Sequence, residues 1–83
     1  MSENKIESGL IKLLKQIAPD KPVEQLKPED QIRKKLALDS FDFLQFIIAL
    51  DEMFKIKTPE EHYHKLETLK DVVLYIEQNQ PAA

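Results

Sequence analysis

The sequence has no cysteine and a single glycine, Gly9, among its 83 residues. The chain therefore has no disulfide, no thiolate nucleophile and no thiolate metal ligand, which fits a reducing compartment. Tight β-hairpin turns usually need residues that tolerate a positive φ, so the scarcity of glycine argues against antiparallel hairpins. Apolar runs are short, as in Phe46 to Leu50, whereas a membrane-spanning helix needs about 20 apolar residues. These absences favour a helical protein without a membrane span.

The charge, −3 overall, is unevenly distributed. Residues 1–35 carry eight basic and six acidic side chains, whereas residues 36–83 carry four basic and nine acidic ones. Nucleic-acid binding needs clustered Lys and Arg, so the acidic half predicts no nucleic-acid partner and favours a partner with a basic surface. The amino terminus lacks the basic patch and apolar stretch of a secretion signal, which predicts a cytoplasmic protein.

Apolar residues recur with a helical period that prolines interrupt. Asn4 is predicted to cap the first helix, and Ser40, Thr58 and Thr68 are predicted to cap the later ones. The predicted helices cover residues 4–18, 40–54, 59–65 and 69–78, with a long loop over 19–39 that contains a short helical turn at 30–36. The pattern predicts one all-α domain over residues 1–83, a bundle of three main helices and one short helix.

The predicted helix at 40–54 has two apolar stripes at helical spacing. One stripe comprises Phe43, Phe46, Ile47, Leu50 and Phe54, and the other comprises Phe41, Leu44 and Ile48. Two alternatives follow from the periodicity: the other helices cover both stripes, or the second stripe is a docking surface. Polar and acidic residues that rim the second stripe suit a docking surface; they are Asp42, Gln45, Asp51 and Glu52.

Ser40 stands at the predicted start of this helix. A phosphate ester on its hydroxyl would face free backbone N–H groups and the positive end of the helix dipole. A plain capping serine would occupy the same position, so the position alone leaves both interpretations open.

The segment Leu-Asp-Ser-Phe-Asp-Phe-Leu at residues 38–44 resembles the attachment motif of acyl carrier proteins and the related peptidyl carriers. The resemblance extends over about residues 4–78 at family-like spacing. It implies a four-helix fold, attachment of 4′-phosphopantetheine from coenzyme A to Ser40, and no enzyme activity of the chain itself. The arm would hold acyl or polyketide intermediates as thioesters, in fatty acid synthesis or a specialised acyl pathway, or aminoacyl groups in a peptidyl carrier.

The resemblance also assigns roles to residues and partners. Residues implied in partner recognition are Asp39, Phe41, Asp42, Leu44, Ile48, Asp51 and Glu52. Candidates for lining an acyl pocket are Phe43, Phe46, Ile47, Leu66 and Val72. The implied partners are a phosphopantetheinyl transferase and acyl-transferring, condensing or ligase enzymes, which would meet a monomer.

Some positions depart from the family pattern. Ala37 stands where the family often has glycine, Gln45 stands where an acidic residue is common, and Phe43 and Tyr63 are bulkier than usual. The departures favour a dedicated acyl pathway over housekeeping fatty acid synthesis. The bulk of Phe43 and Tyr63 also predicts that the protein shelters a long saturated acyl chain poorly, so that the chain stays partly exposed or follows a different path.

Other interpretations are weaker. A helical adaptor without a prosthetic group would bind its partner through the second stripe, and a hydrolase would use Ser40 with His62 but lacks a glycine-rich oxyanion loop. His62 and His64 point apart on a helix, so we predict no metal site and interpret both as surface residues. The basic triplet at 33–35 is interpreted as a solvated helix end.

Overall fold

The computed structural model describes the backbone of residues 3–80 and the side chains of residues 5–80. In chain order its elements are α1 (Glu3–Ile17), a first 3₁₀ helix (Val23–Gln25), α2 (Ile32–Lys35), α3 (Ser40–Phe54), a second 3₁₀ helix (Glu60–Lys65) and α4 (Leu69–Asn79). Within residues 3–80 there is no strand, and the only extended pairing is an isolated bridge between Gln31 and Thr68. The predicted all-α bundle is confirmed.

The core is formed where α1 packs against α3 and α4. Its largest fully buried side chains include Ile6, Leu10, Leu14, Ile32, Leu36, Phe46, Ile47, Leu50, Leu66, Leu69 and Ile76. Gly9 lies at the contact with α3, because a Cβ there would stand 3.0 Å from Phe54 Cζ and 3.2 Å from Met53 Sδ. No helix within residues 3–80 combines the length and the apolar character needed to cross a membrane.

The first long helix is close to its predicted range. It begins at Glu3 and ends at Ile17, one residue earlier at each end than predicted. The predicted capping side chain of Asn4 lies outside the described side chains. In the loop that follows, Val23 and Leu26 are buried and fix this loop to the core.

A left-handed residue ends α2. The N–H of Ala37 donates to the carbonyl of Lys34 at 3.4 Å, and the N–H of Leu38 donates to the carbonyl of Arg33 at 2.9 Å. With φ of 51° at Ala37, this is the Schellman arrangement, which usually has glycine at the left-handed position. The turn reverses the chain and leads directly into Asp39 and α3.

The cap of α3 corrects the prediction for Ser40. Asp39 has an extended backbone and is the N-cap; its carboxylate accepts from the N–H of Asp42 at 2.8 Å. Ser40 is the first residue inside the helix. Asp and Ser are comparably good caps, so the sequence did not distinguish between these two neighbours, and Asp39 caps the helix.

The segment after α3 corrects a second predicted cap. The second 3₁₀ helix begins at Glu60, and no side chain caps it. Thr58 instead turns toward α3: its N–H and hydroxyl donate to the two carboxylate oxygens of Asp51, at 3.1 and 2.6 Å. This pair ties the loop to the carboxyl-terminal end of α3.

The start of α4 agrees with its prediction. Thr68 and Asp71 form a reciprocal capping box, in which each side chain accepts from the backbone N–H of the other residue. The helix extends through Asn79, one residue beyond its predicted end at 78, and the Asn79 amide donates to the carbonyl of Tyr75 at 2.7 Å.

Candidate functional site

Ser40 is exposed at the amino-terminal end of α3. Its hydroxyl caps no backbone group, because the Asp39 carboxylate caps the helix. The hydroxyl oxygen accepts a hydrogen bond from Nη2 of Arg33 at 3.3 Å. An exposed hydroxyl that does not cap the helix is available for chemical attachment.

Arg33 also contacts an aromatic ring next to Ser40. Its guanidinium carbon lies 5.3 Å from the centroid of Phe43, within the range of a cation–π interaction. The basic triplet at 33–35 was predicted to be a solvated helix end, and all three of its residues are exposed. The sequence did not reveal that Arg33 also contacts Ser40 and Phe43. These contacts depend on the turn at Ala37, which no spacing rule indicates.

An open groove of about 850 Å³ lies beside Ser40, between the α2–α3 segment and the second 3₁₀ helix. Its apolar lining comprises Leu38, Phe43, Leu44, Tyr63 and Leu66, and its polar lining comprises Gln31, Arg33, Lys34, Ser40, Glu60, His64 and Glu67. The groove thus has an apolar floor and charges of both signs along its edges.

Two aromatic rings, those of Phe43 and Tyr63, line this groove. The ring of Phe43 meets Tyr63 edge-on at 6.0 Å and lies 6.3 Å from the ring of Phe46. Of the five predicted pocket candidates, Phe43 and Leu66 line the groove. The other three, Phe46, Ile47 and Val72, are packed in the core and do not reach the groove. Their role in lining an acyl pocket stays a prediction.

The second apolar stripe of α3 is exposed. Phe41 is 67%, Leu44 41% and Ile48 47% exposed, so the alternative in which other helices cover this stripe is wrong. We refer to Phe41, Leu44 and Ile48 as the exposed stripe. At its edges, Gln45 and Glu52 are exposed and Asp42 is half-buried.

Asp51 differs from the other acidic residues near the exposed stripe. It is half-buried, and both of its carboxylate oxygens accept hydrogen bonds from Thr58. Its geometry therefore indicates a structural contact that the sequence pattern did not reveal.

The two histidines have different surroundings. His62 Nδ1 lies 3.0 Å from the hydroxyl of Tyr75, and their rings pack edge-on at 5.9 Å. His62 is thus half-buried, which corrects its interpretation as a surface residue, and its hydrogen-bond partner is Tyr75, not Ser40. His64 is exposed and lines the groove. Among the side chains of residues 5–80, no three metal-ligating groups cluster.

Residues 8–76 match the family model for the phosphopantetheine attachment site. The chain is 44% identical to an acyl carrier protein of Helicobacter hepaticus over 55 residues, which is 66% of this chain and 72% of the relative. It is 43% identical to an acyl carrier protein of Helicobacter pylori over 58 residues, 70% of this chain and 74% of the relative. A solution structure from Anaplasma phagocytophilum, assigned as an acyl carrier protein, superimposes with a TM-score of 0.82 at 28% identity, covering 94% of this chain and 91% of that one.

The bundle and the match over residues 8–76 define a phosphopantetheine-bearing carrier. This chain belongs to the acyl carrier protein family. It is a carrier and not an enzyme, and its prosthetic group is 4′-phosphopantetheine. The adaptor without a prosthetic group and the hydrolase are thereby excluded.

Proposed function

We propose that Ser40 carries the 4′-phosphopantetheine arm, and that the thiol at the end of the arm holds acyl groups as thioesters for separate enzymes. The observation that carries the proposal is the Ser40 hydroxyl, which is exposed at the start of α3 and relieved of capping by Asp39. In group carriers the protein supplies attachment and presentation, while the bound group supplies the reactive atom.

The surroundings of Ser40 suit a phosphate ester. The hydroxyl stands on the first residue of α3, where the backbone N–H groups and the helix dipole favour an anion. Arg33 adds a positive charge at 3.3 Å. The exposed hydroxyl also leaves room for a transferase to approach.

We propose that partner enzymes bind α3 through the exposed stripe and the acidic groups beside it, Asp39, Asp42 and Glu52. An apolar patch with a charged edge is typical of a protein-binding surface, in which the charges steer the encounter. We leave Asp51 out of this surface because Thr58 occupies both of its carboxylate oxygens.

Attachment is tested by mass spectrometry after co-expression with a phosphopantetheinyl transferase. We expect the wild-type chain to gain the mass of one phosphopantetheine and Ser40→Ala to gain none. Ser8→Ala is the matched control, because Ser8 is also exposed but lies within α1. A full mass gain in Ser40→Ala would refute the assignment.

We also propose that a long saturated acyl chain stays in the open groove and does not enter the core. The carrying observation is the pair of rings, Phe43 and Tyr63, in edge-on contact at 6.0 Å. Interiors are packed at nearly crystal density, so a chain enters only where side chains yield space. A dedicated acyl pathway, in which the cargo is short or polar, fits a groove edged by charges.

The cargo proposal is tested by loading Ser40 with a short and then a long saturated acyl group and comparing backbone amide shifts. We expect shifts confined to residues around Ser40 and the groove, with the long chain adding no shifts at Val72 or Ile76. Shifts that spread through α4 and grow with chain length would contradict the proposal. Phe43→Ala should then admit the long chain to the interior.

A further inference from the structure

Arg33 is a cation at Ser40 that forms no ion pair with a carboxylate among the described side chains. The ion pair found among the side chains of residues 5–80 joins Lys15 and Glu24 at 2.7 Å and does not involve Arg33. The guanidinium of Arg33 contacts instead the Ser40 hydroxyl, at 3.3 Å, and the face of Phe43, at 5.3 Å. Its charge is therefore available to an anion at Ser40.

The fold fixes the position of this guanidinium. The carbonyl of Arg33 accepts from the N–H of Leu38 in the turn at Ala37, which brings α2 beside the start of α3. Phe43 is 6% exposed and held by the core, so the ring beneath the guanidinium is a fixed surface. Lys35, two residues further along α2, is exposed but does not line the groove.

A phosphodiester on Ser40 would meet the guanidinium directly. Its phosphorus is bonded to Oγ, and its non-bridging oxygens are one bond further, so a donor that reaches Oγ also reaches them. The Ser40 Oγ atom already accepts a hydrogen bond from Arg33, and esterification replaces only the hydroxyl hydrogen. Guanidinium groups bind phosphate through paired N–H donors, and hydrogen bonds between charged groups are stronger than neutral ones.

We propose that Arg33 binds the phosphate of the attached 4′-phosphopantetheine arm and holds the start of the arm over Phe43 at the entrance of the groove. This inference rests on the proposed function, because it requires the arm on Ser40. Arg33 acts here as a binding and positioning residue and takes no part in the chemistry of the thioester.

The test compares unloaded and loaded protein for the wild type, Arg33→Gln and the matched control Lys35→Gln. Attachment is expected to raise the midpoint of thermal unfolding by about 2–4 °C in the wild type and in Lys35→Gln, and by less than half of that in Arg33→Gln. The unloaded form of each variant is its own reference, so the loss of the Phe43 contact cancels in the comparison.

A second readout reports on the phosphate itself. The ³¹P resonance of the loaded protein should shift in Arg33→Gln and stay in place in Lys35→Gln. In the wild type it should move toward the Arg33→Gln position as salt is raised to about 1 M, where screening shortens to about 3 Å.

The outcomes separate this inference from the proposed function. Loading of Ser40 with identical ³¹P resonances and identical midpoint gains in both variants would overturn the role of Arg33 and leave the attachment site intact. Slower loading of Arg33→Gln with an unchanged ³¹P resonance would also overturn it, since Arg33 would then serve the transferase. Absence of any loading at Ser40 would overturn both proposals.

Discussion

The two apolar faces of α3 have similar composition but different surroundings. On the core face, side chains such as Phe46, Leu50 and Phe54 are at most 4% exposed, whereas the exposed stripe is 41–67% exposed. The difference arises because α1 and the rest of the core cover one side of α3, whereas the described residues leave its other side uncovered. Hydrophobic periodicity reveals both faces, but tertiary packing decides which one contributes to folding stability. The uncovered face is available for binding.

The largest expected effect tests this difference directly. Leu50→Ala should lower the free energy of unfolding by about 2–5 kcal/mol, because the change removes buried contacts and leaves a cavity. Leu44→Ala and Ile48→Ala should each lower it by less than about 1 kcal/mol, since both residues are more than 40% exposed. Urea denaturation of the three unloaded variants measures these values. Equal losses at all three positions would show that α3 is buried on both faces.

The features that periodicity and capping chemistry determine locally were predictable. The three long helices follow from apolar spacing, and the capping box of α4 follows from a threonine three residues before an aspartate. The cap of α3 was assigned to the wrong residue because Asp39 and Ser40 are adjacent and both are good caps. Thr58 was misassigned because the residue that its hydroxyl contacts, Asp51, lies in the preceding helix.

The parts of the site that depend on long-range geometry were not predictable. The contact between Arg33 and Ser40 requires the left-handed turn at Ala37, and alanine gives no signal for such a conformation. The motif around Ser40 and the exposed stripe could be found from sequence, because each lies within one short continuous segment of the chain. Of the five acyl-pocket candidates, Phe43 and Leu66 line the groove and the other three are buried in the core, a distinction that a periodic pattern does not make.

A smaller effect is expected at the start of α3, where Asp39 caps the helix and its neighbour Ser40 carries the exposed hydroxyl. Asp39→Ala should lower the free energy of unfolding by about 1 kcal/mol, because it removes the acceptor for the N–H of Asp42. Ser40→Ala should change it by less than about 0.5 kcal/mol, since Ser40 is exposed and caps nothing. Thermal unfolding of the unloaded proteins provides the measurement. A larger loss of unfolding free energy for Ser40→Ala than for Asp39→Ala would show that Ser40, and not Asp39, caps α3.

The smallest effect concerns the two left-handed residues on either side of α3. Ala37 has φ of 51° and Lys55 has φ of 56°, and both carry a Cβ in a conformation that favours glycine. Ala37→Gly and Lys55→Gly should therefore each raise the free energy of unfolding, by up to about 1 kcal/mol. The gain is limited because glycine also increases the conformational freedom of the unfolded chain.

Ala49→Gly is the matched control for these two changes, because Ala49 lies in the middle of α3 with ordinary helical geometry. There the same loss of a methyl group should lower the free energy of unfolding by about 1 kcal/mol. Opposite signs at Ala37 and Ala49 in urea denaturation would confirm the left-handed turn that brings Arg33 to Ser40. If Ala37→Gly lowered stability as Ala49→Gly does, while Lys55→Gly still raised it, the left-handed conformation at Ala37 would be contradicted and that at Lys55 confirmed. In that case the contact between Arg33 and Ser40 would lose the backbone geometry on which it depends.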